Sequence, residues 1–426
     1  MAEPMRILFT TQPASGHLRP LVPLAQAAAR RGHQVAVATL DRMSGELAGY
    51  GLAHLPAGYD WAPEVVAQLP RGYSRLSFAQ AADVLAGLDA MVTATFAGPA
   101  ARALAHDVLA AQFKPDLVVR EADEFGGYLA AEVLGVPHAS VASFGGLSGI
   151  TGQRLAPILD EGRRDLGLPG DPEGAALYRY LHATFLPEAY GAGEFILPNT
   201  RAYRHTSSEQ VAGRLPGWLA ELDHDRPFLF AGFGTVVYDL PGARDFLAEV
   251  IAALGMLPVT AVLAVGSGKS LDRFGSLPPN VRLVEFTDQP LMLEGCDLFL
   301  SHGGLNSIKE ALRLAVPMVG MPVGSDHRHN VATCVRAGVA VEVPVGEAGA
   351  ATIAAACARV LGDPGYRSRA RWLQRHIHAL APIDQLMDDL EELGARRGSE
   401  AERRHRSTAS GTSAEARPDG DQLARC

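Results

Sequence analysis

The sequence predicts two α/β domains of similar size, each built on a parallel sheet, and three observations support this fold class. A strand, a helix and a second strand follow one another within the first forty residues, which is the pattern of a βαβ unit. The same alternation resumes after residue 226 and continues to residue 380. The chain of 426 residues is also too long for one hydrophobic core, since domains usually have roughly 100 to 200 residues.

The elements of the first half follow in order from their patterns. The apolar run "RILFT" predicts a strand at Arg6–Thr10, and the amphipathic stretch after the loop "TQPASGHLRP" predicts a helix from about Leu21 to Arg31. Gly32 suits the left-handed position that ends a helix. "HQVAVATL" is typical of a strand, and the pattern recurs as the strand "PDLVVRE", a helix at 126–134 and the strand "HASVAS".

Residues 1–205 are assigned to this first domain, with "FILPNT" (195–200) as its last strand. Between about residues 147 and 193 the periodicity weakens while glycine, proline and aromatic residues accumulate. Helices and loops are expected there, and they are compatible with the lining of an apolar pocket.

A connector at residues 206–225 leads to a second domain at residues 226–380. Its strands are predicted at "PFLFAGFG", "VTAVLAVG", "VRLVEF", "CDLFLS", "VPMVGMP" and "VAVEV". Residues 381–394 are expected to form a C-terminal helix that packs back toward the first domain. Residues 395–426 are charged and polar with almost no apolar side chains, so they are expected to be a disordered tail. Two parallel-sheet domains that face one another follow from this order.

Composition argues against several classes of protein. Hydrophobic residues make up 47% and charged residues 20% of the chain, as in ordinary soluble domains. A net charge of −9 argues against a protein that neutralises many nucleic-acid phosphates. The sequence shows neither an uninterrupted apolar run of about 18 residues, as a membrane span needs, nor a secretory signal, so a cytoplasmic location is expected. The four cysteines lack CxxC spacing, which indicates reduced thiols rather than zinc or disulfides.

Three short motifs resemble sites that the sequence does not otherwise support. "GSGKS" (266–270) is similar to part of a phosphate-binding P-loop, but Leu263 stands where that motif needs its first glycine. Asp223-His224-Asp225 and His327-x-His329 have spacings found in metal sites, yet the first lies in the connector and the second has few carboxylates nearby. Solvated loops are the simpler interpretation, and no metal is expected.

The stretch "SHGGLNSIKEAL" (301–312) has two possible explanations. Ser307 and Glu310 have the spacing of a capping box at the start of a helix. A glycine-rich turn that leads from a strand into a helix also exposes backbone N–H groups and a partial positive charge, which suit a phosphate.

His17 lies between the first strand and the first helix, at the edge of the sheet where α/β proteins gather their ligands. A histidine there can simply hydrogen-bond a neighbour. However, Glu121, Asp123 and Glu124 come directly after the strand "DLVV", and parallel strands deliver their loops to the same edge. One of these carboxylates is therefore expected to orient the imidazole, which makes His17 a candidate general base.

Two parts of the chain resemble a known family. "GHLRPLVPLAQAAARRGHQVAVAT", and later "VRLVEFTDQPLML" with "CDLFLSHGGLNSIKEALRLAVPMVGMPVGSDHRHN", are similar to the inverting, metal-independent family-1 glycosyltransferases, especially those of actinomycete natural-product and antibiotic biosynthesis. The resemblance extends over roughly residues 5–390. It implies the GT-B fold, in which two Rossmann-like parallel-sheet domains face one another across a cleft. It also implies sugar transfer from a dTDP-deoxysugar or UDP-sugar to a hydroxyl group of a hydrophobic aglycone.

The resemblance further implies a donor site in the second domain. The glycine turn and the helix after it would contact the diphosphate, with the loop "GFGT" on the opposite side. Glu310, placed at the third helical position, would bind the ribose, Gln289 would border the nucleobase, and Asp326 and His327 would hold sugar hydroxyls. His327 departs from the usual Asp-Gln pair of the family. The complete set is Gly234, Thr235, Gln289, His302, Gly303, Gly304, Asn306, Ser307, Glu310, Asp326 and His327.

For the reaction, the resemblance implies that His17 removes the acceptor proton while an acidic residue steadies the imidazolium. Glu121 aligns with that position, where many members have aspartate, and Asp123 and Glu124 remain alternatives. One displacement would invert the anomeric carbon, and the His302 turn and helix dipole would stabilise the leaving diphosphate. No cofactor is implied beyond the nucleotide sugar, which is a co-substrate.

Other functions remain open at this point. A sugar-nucleotide epimerase or a phosphorylase would bring together two similar domains, and a non-catalytic nucleotide-sugar-binding protein would keep the donor turn. The expected partners are a nucleotide sugar and a small hydrophobic acceptor, without nucleic acid or membrane. The sequence does not decide which sugar, nucleotide or acceptor is used, or whether the chain forms a homodimer.

Overall fold

The computed structural model of this chain describes residues 3–142, 151–191, 197, 199–204, 215–235, 237–324 and 326–395, and the structural statements below refer to these residues. The tail expected at 395–426 lies, apart from its first residue, outside this part of the chain. So does the connector up to residue 214.

The first domain is built on a parallel sheet with a switch in strand order at its centre. Its strands, in the part of the chain described, are β1 (Arg6–Thr10), β2 (Gln34–Thr39), β3 (His54–Pro56), β4 (Leu117–Glu121), β5 (His138–Val141), β6 (His182–Thr184) and β7 (Thr200–Ala202). Their order is β3-β2-β1-β4-β5-β6-β7. Thr10 pairs with Arg120, so the loops that follow β1 and β4 emerge side by side.

The second domain repeats this arrangement. Its strands are β8 (Phe228–Gly232), β9 (Thr260–Ala264), β10 (Val281–Val284), β11 (Leu298–Ser301), β12 (Met318–Gly320) and β13 (Ala340–Glu342). They are ordered β10-β9-β8-β11-β12-β13, again in parallel. Gly232 pairs with Ser301, so the loops after β8 and β11 also lie next to one another. The two parallel-sheet domains that the sequence predicts are confirmed.

Helices connect most of the strands. Within the described residues they are α1 (Ser15–Leu18), α2 (Val22–Arg30), α3 (Ser44–Gly49), α4 (Ala62–Ala67), α5 (Phe78–Thr95), α6 (Ala101–Ala110), α7 (Gly126–Leu134), α8 (Thr151–Asp165), α9 (Glu188–Gly191), α10 (Ala243–Gly255), α11 (Gln289–Glu294), α12 (Leu305–Arg313), α13 (His327–Arg336), α14 (Ala350–Gly362), α15 (Pro364–His378) and α16 (383–395).

The central strands β1, β4 and β5 of the first sheet are buried on both faces, as is usual in parallel sheets. Ile7 and Phe9 point to one face and join the core formed with α2 and α16. Leu8 points to the other face and packs with α6 and α7. The sheet therefore lies between two layers of helices, and a site can form at the carboxyl ends of its strands.

Two predictions about the strands of the first domain have different outcomes. Residues 195, 196 and 198 of the predicted last strand "FILPNT" lie outside the described residues, and β7 covers Thr200–Ala202. Asn199, just before it, takes a left-handed turn with φ 57°, and its side-chain amide donates to the Tyr178 carbonyl at 3.0 Å. The strands β3 and β6 were not expected at all. Each has three residues, too few for a period-2 pattern to be recognised.

Helix α16 packs on the first domain although it follows the second in sequence. Leu386 and Leu390 join the core that contains Ile7 and Phe9. Arg31 contacts Asp388 at 2.6 Å and Glu391 at 3.1 Å on the rim of this contact. The last helix therefore ties the end of the second domain back to the first.

The two domains also meet through α5. Phe78 is buried in the core of the second domain, where its ring stacks on that of Phe246 with centroids 4.1 Å apart. In the described part of the chain, one helical run, Phe78–Ala110, has the length and apolar composition of a membrane-spanning helix. The two ends of this helical run are packed into the cores of different domains: Phe78 lies in the core of the second domain and Leu104 in that of the first.

Candidate active site

A cleft of about 1000 Å³ separates the carboxyl ends of the two sheets. Six of the residues expected to bind the donor line it: Gly234, Thr235, Gln289, Asn306, Ser307 and Glu310. The other five, His302, Gly303, Gly304, Asp326 and His327, do not belong to this lining. They lie in or beside the turn that supports it.

The turn after β11 forms without a capping box. Gly303 has φ 87°, and a β-carbon there would come within 2.4 Å of the Val331 side chain, so only glycine fits. Gly304 is the N-cap and α12 begins at Leu305. Ser307 is therefore the third residue of the helix and Glu310 the sixth, which contradicts both the capping box and the third helical position expected for Glu310. The first helical N–H groups remain available to a ligand.

Gln289 joins two of the cleft residues. Its side-chain amide donates to Ser307 Oγ at 3.1 Å and to Glu310 Oε2 at 2.6 Å. Burial raises the pKa of Glu310, while the Gln289 bond and the positive charge of Arg19 oppose that shift. These contacts hold a carboxylate and a hydroxyl at the cleft surface in a fixed geometry.

His302 is enclosed by two glycines. A β-carbon would come within 2.8 Å of His302 Nε2 from Gly234 and within 2.6 Å from Gly304. Burial lowers the pKa of His302 to about 4, against an opposing hydrogen bond with the Gly232 backbone. The ring is neutral at pH 7, so it acts as a hydrogen-bond donor rather than as a cation.

Asp326 and His327 sit behind the turn. Asn330 donates to Asp326 Oδ2 at 2.7 Å and to the Gly303 carbonyl at 3.0 Å, which links the turn to α13. The His327 ring meets that of His302 edge-on, with centroids 4.6 Å apart. Burial, followed by the neighbouring His302, lowers the pKa of His327 well below its usual value.

On the first domain, His17 and Glu121 meet at the edge formed by β1 and β4. His17 Nδ1 lies 3.0 Å from Glu121 Oε2, and the Glu121 side chain is fully buried. Burial lowers the pKa of His17, but Glu121 and then Asp123 and Asp326 outweigh it, so the net shift is upward. The imidazole is thus positioned by a carboxylate.

The two alternative carboxylates have different surroundings. Glu124 accepts hydrogen bonds from Thr10 and from the backbone N–H groups of Gly126 and Gly127, the latter at 2.9 Å, and so caps α7 rather than facing His17. Asp123 is buried beside the pair, and its backbone N–H donates to Glu121 Oε1 at 2.8 Å. Burial and the Glu121 charge raise the pKa of Asp123 well above its usual value.

Several cleft residues were missed by sequence reasoning. Arg19 lines the cleft from the first domain, and Lys269 lines it from the second, paired with Asp239 at 2.5 Å. Arg19 caps the end of α1, the short helix after β1 that contains His17, and Lys269 belongs to the "GSGKS" loop after β9. Their position at a carboxyl edge was the available signal. By contrast, Asp223 and Asp225 lie in an exposed part of the connector.

One hydrogen bond connects the two halves of the site. The Asn306 side-chain amide donates to the Gly16 carbonyl at 2.8 Å. Asn306 follows the turn of the second domain, and Gly16 immediately precedes His17 in the first. The bond therefore spans the cleft between the expected donor turn and the expected base.

The arrangement can perform two chemical tasks. A histidine held by a buried carboxylate can accept a proton from a hydroxyl group at the cleft. Across the cleft, the N-terminus of α12 and the neutral His302 offer hydrogen-bond donors to a phosphate.

Comparison with known proteins relates most of the chain to enzymes of sugar transfer. The sequence model of a family described as "Erythromycin biosynthesis protein CIII-like, C-terminal domain" matches residues 248–393. The erythronolide mycarosyltransferase of Saccharopolyspora erythraea is 26% identical over 92% of this chain and 99% of that protein. The tylactone mycaminosyltransferase of Streptomyces fradiae is 28% identical over 92% of this chain and 93% of that protein.

Solved structures show the same fold. The glycosyltransferase VinC in complex with dTDP aligns with a TM-score of 0.73 at 22% identity, covering 92% of this chain and all of that one. The glycosyltransferase SnogD from Streptomyces nogalater aligns with a TM-score of 0.68 at 25% identity over 92% of this chain and 100% of that one. The two-domain arrangement around the cleft is shared with these structures.

Proposed function

Because this chain belongs to the actinomycete natural-product glycosyltransferases of family 1, with the GT-B fold, we propose an inverting reaction in which His17 is the general base. The donor is a dTDP-deoxysugar or a UDP-sugar, and the acceptor is a hydroxyl group of a hydrophobic aglycone. The observation that carries the proposal is the His17–Glu121 pair at 3.0 Å. Neither residue belongs to the cleft lining, but Gly16, which precedes His17, accepts a hydrogen bond from Asn306 of the turn's helix.

The second domain supplies the donor site in this proposal. The diphosphate lies at the N-terminus of α12, where the first N–H groups are not used by a cap, and the neutral His302 supports it. Glu310 and Gln289 bind the nucleoside portion, and Asp326 and His327 lie nearer the sugar. The cleft volume of about 1000 Å³ is sufficient for a nucleotide sugar.

The first domain supplies the base. The acceptor oxygen loses its proton to His17 as it attacks the anomeric carbon on the face opposite the diphosphate. Glu121 stabilises the imidazolium that forms, because its charge favours the protonated ring. The leaving diphosphate is stabilised by the turn and by the dipole of α12, so protein groups carry its charge without a metal.

The substrates of related enzymes support the choice of substrates here. Mycarosyl, mycaminosyl and desosaminyl transferases act with aglycones named erythronolide, tylactone and 10-deoxymethynolide. Two of the related structures are complexes with thymidine diphosphate, those of VinC and of SsfS6 from Streptomyces. We therefore place dTDP-deoxysugars and polyketide aglycones first among the candidates.

The test is transfer by the purified protein from a panel of dTDP- and UDP-sugars to polyketide and aromatic acceptors. Mass spectrometry should detect an added sugar in the presence of a chelator, and NMR should show an inverted anomeric configuration. His17→Ala should lower the rate by about 100- to 10,000-fold. It should leave donor binding unchanged, because the donor contacts lie in the other domain.

Two outcomes would contradict the proposal in different ways. If the His17→Ala variant transfers sugar at the full rate, His17 is not the general base. Release of the free nucleotide or epimerisation of the donor sugar, without any transfer across the whole panel, would favour the epimerase alternative. His302→Ala separately tests the phosphate site, since it should weaken nucleotide binding in calorimetry.

A further inference from the structure

We propose that His17, Glu121 and Asp123 form a binding site for a divalent transition-metal ion, and that the bound ion inhibits the enzyme. The three side chains come from the adjacent loop and strand ends of β1 and β4. One ligand atom of each lies within 4.8 Å of those of the other two. All three residues are buried, with exposed fractions of 8%, 0% and 3%.

Asp123 provides the second observation. Its Oδ2 atom is buried and has no hydrogen-bond partner among the described residues. A buried carboxylate oxygen without a donor is costly unless a cation or a proton accompanies it. The buried Glu121 carboxylate lies beside Asp123, because Glu121 Oε1 accepts from the Asp123 backbone N–H at 2.8 Å.

The neighbouring buried cation, Arg120, uses its hydrogen-bond donors on the backbone. The Arg120 guanidinium is fully buried but donates to the carbonyls of Ala122 at 2.8 Å, Glu124 at 3.2 Å and Leu177 at 3.2 Å. These bonds are all to backbone carbonyl oxygens. The cluster therefore has the electrostatic character of a site for an added positive charge.

The ligand types select the class of ion. One imidazole and two carboxylates suit Zn²⁺, Co²⁺ or Ni²⁺, whereas Ca²⁺ takes six to eight oxygen ligands. The His17 side chain is 10% exposed, so an ion can reach the cluster from its side. Three protein ligands also leave a coordination position for water, as in other open zinc sites.

Inhibition follows if the proposed function is correct. An imidazole nitrogen that binds a metal no longer has the lone pair that accepts the acceptor proton, and the charge of the ion disfavours protonation of the other nitrogen. The donor site lies in the other domain. Zn²⁺ should therefore lower kcat while the KM for the nucleotide sugar stays the same.

Metal binding can be tested without any activity assay. After treatment with a chelator and its removal, wild-type protein is titrated with Zn²⁺ by calorimetry and with Co²⁺ by visible absorption, in the absence of substrates. We expect one site, with the Co²⁺ spectrum of a nitrogen- and oxygen-ligated ion. Asp123→Asn and His17→Ala should each weaken binding by about tenfold or more.

The connector provides a matched control. His224 and Asp225 lie 3.6 Å apart but are 92% and 87% exposed, so His224→Ala removes a histidine beside a carboxylate without touching the buried cluster. The His224→Ala variant should bind Zn²⁺ as tightly as the wild type does. Thermal unfolding identifies any variant that fails to fold. If Asp123→Asn does not fold, the His17→Ala variant alone tests the site.

The outcomes separate the site from the function. Absence of Zn²⁺ and Co²⁺ binding would overturn the site, and so would equal binding by the wild type and the folded cluster variants. All of these proteins keep Cys426 and the other cysteines, so binding at a thiol would give the second result. Binding at the cluster without loss of transfer would retain the site but overturn the inhibition and, with it, the role of His17 as base.

Discussion

The His17 imidazole experiences two opposing effects, and their balance predicts a pH profile. Burial lowers its pKa and the charges of Glu121, Asp123 and Asp326 raise it, with a net increase above the usual 6.5. A general base must be neutral, so kcat/KM should fall as the pH decreases through a value above 6.5. Glu121→Gln removes the largest raising contribution and should move this acidic limb to lower pH while lowering kcat.

A pH profile of kcat/KM for the acceptor, measured on both proteins with limiting acceptor and saturating donor, checks this prediction. Glu121 also shapes the pocket, so circular dichroism must show that the variant is folded. An acidic limb at the same pH in the two proteins would mean that another group titrates.

Gly234 makes a second residue-scale prediction. It has φ 77°, and a β-carbon would lie 2.8 Å from His302 Nε2, so Gly234→Ala combines backbone strain with a displaced ring. Nucleotide binding should weaken by about 1–3 kcal/mol, the usual range for loss of a hydrogen-bond donor to a charged group. Calorimetric titration with dTDP or UDP provides the measurement.

Gly268 supplies the matched control. It has a similar φ of 71°, but nothing lies within 4 Å of its β-carbon position. Gly268→Ala therefore introduces the strain without moving His302. If both variants lost the same affinity, the contact with His302 would not matter.

At the scale of elements, α7 depends on the Glu124 carboxylate for its first turn. This side chain accepts from Gly126 and Gly127, both of which are buried. Glu124→Ala leaves these N–H groups without an acceptor and should lower the free energy of unfolding by about 1–3 kcal/mol. Denaturant unfolding measures the change, and Glu161→Ala, at an exposed carboxylate of α8, should change it by less than about 0.5 kcal/mol.

The same elements show what the sequence predicts well and what it does not. The strands β1 and β4 and the encounter of His17 with Glu121 were predictable, because adjacent parallel strands bring their carboxyl ends together. The start of α12 was not. "SIKE" matches a capping box locally, but the buried packing of Leu305 and Ile308 lets the helix begin at Leu305. Tertiary burial decided that boundary rather than the local motif.

The choice among three carboxylates also needed the structure. Glu121, Asp123 and Glu124 are nearly equivalent in the sequence, and all three are buried. Only the hydrogen bonds to Gly126 and Gly127 show that Glu124 caps a helix. The cleft residue Arg19 belongs to the family-like stretch "GHLRP", but only the structure shows that it lines the cleft.

For the whole molecule, α16 makes the stability of the first domain depend on the end of the chain. Leu390 is 1% exposed and packs into the core that contains Ile7 and Phe9. Leu390→Ala should lower the free energy of unfolding by about 2–5 kcal/mol, as for other buried leucines. Val66→Ala, also in the first domain but 63% exposed, should have an effect within about 0.5 kcal/mol.

Denaturant unfolding followed by fluorescence measures both variants. An equal and small effect of the two substitutions would show that α16 contributes little to the core that it contacts.

The hydrogen bond from Asn306 to the Gly16 carbonyl has a consequence for the kinetic order of the reaction. A donor diphosphate that takes the Asn306 amide must first break this bond, which releases the loop that presents the base. We therefore expect a compulsory sequence in which the nucleotide sugar binds before the aglycone. Product-inhibition patterns measure this order. Asn306→Ala should make the order random, because the acceptor could then bind whether or not the nucleotide sugar is already bound.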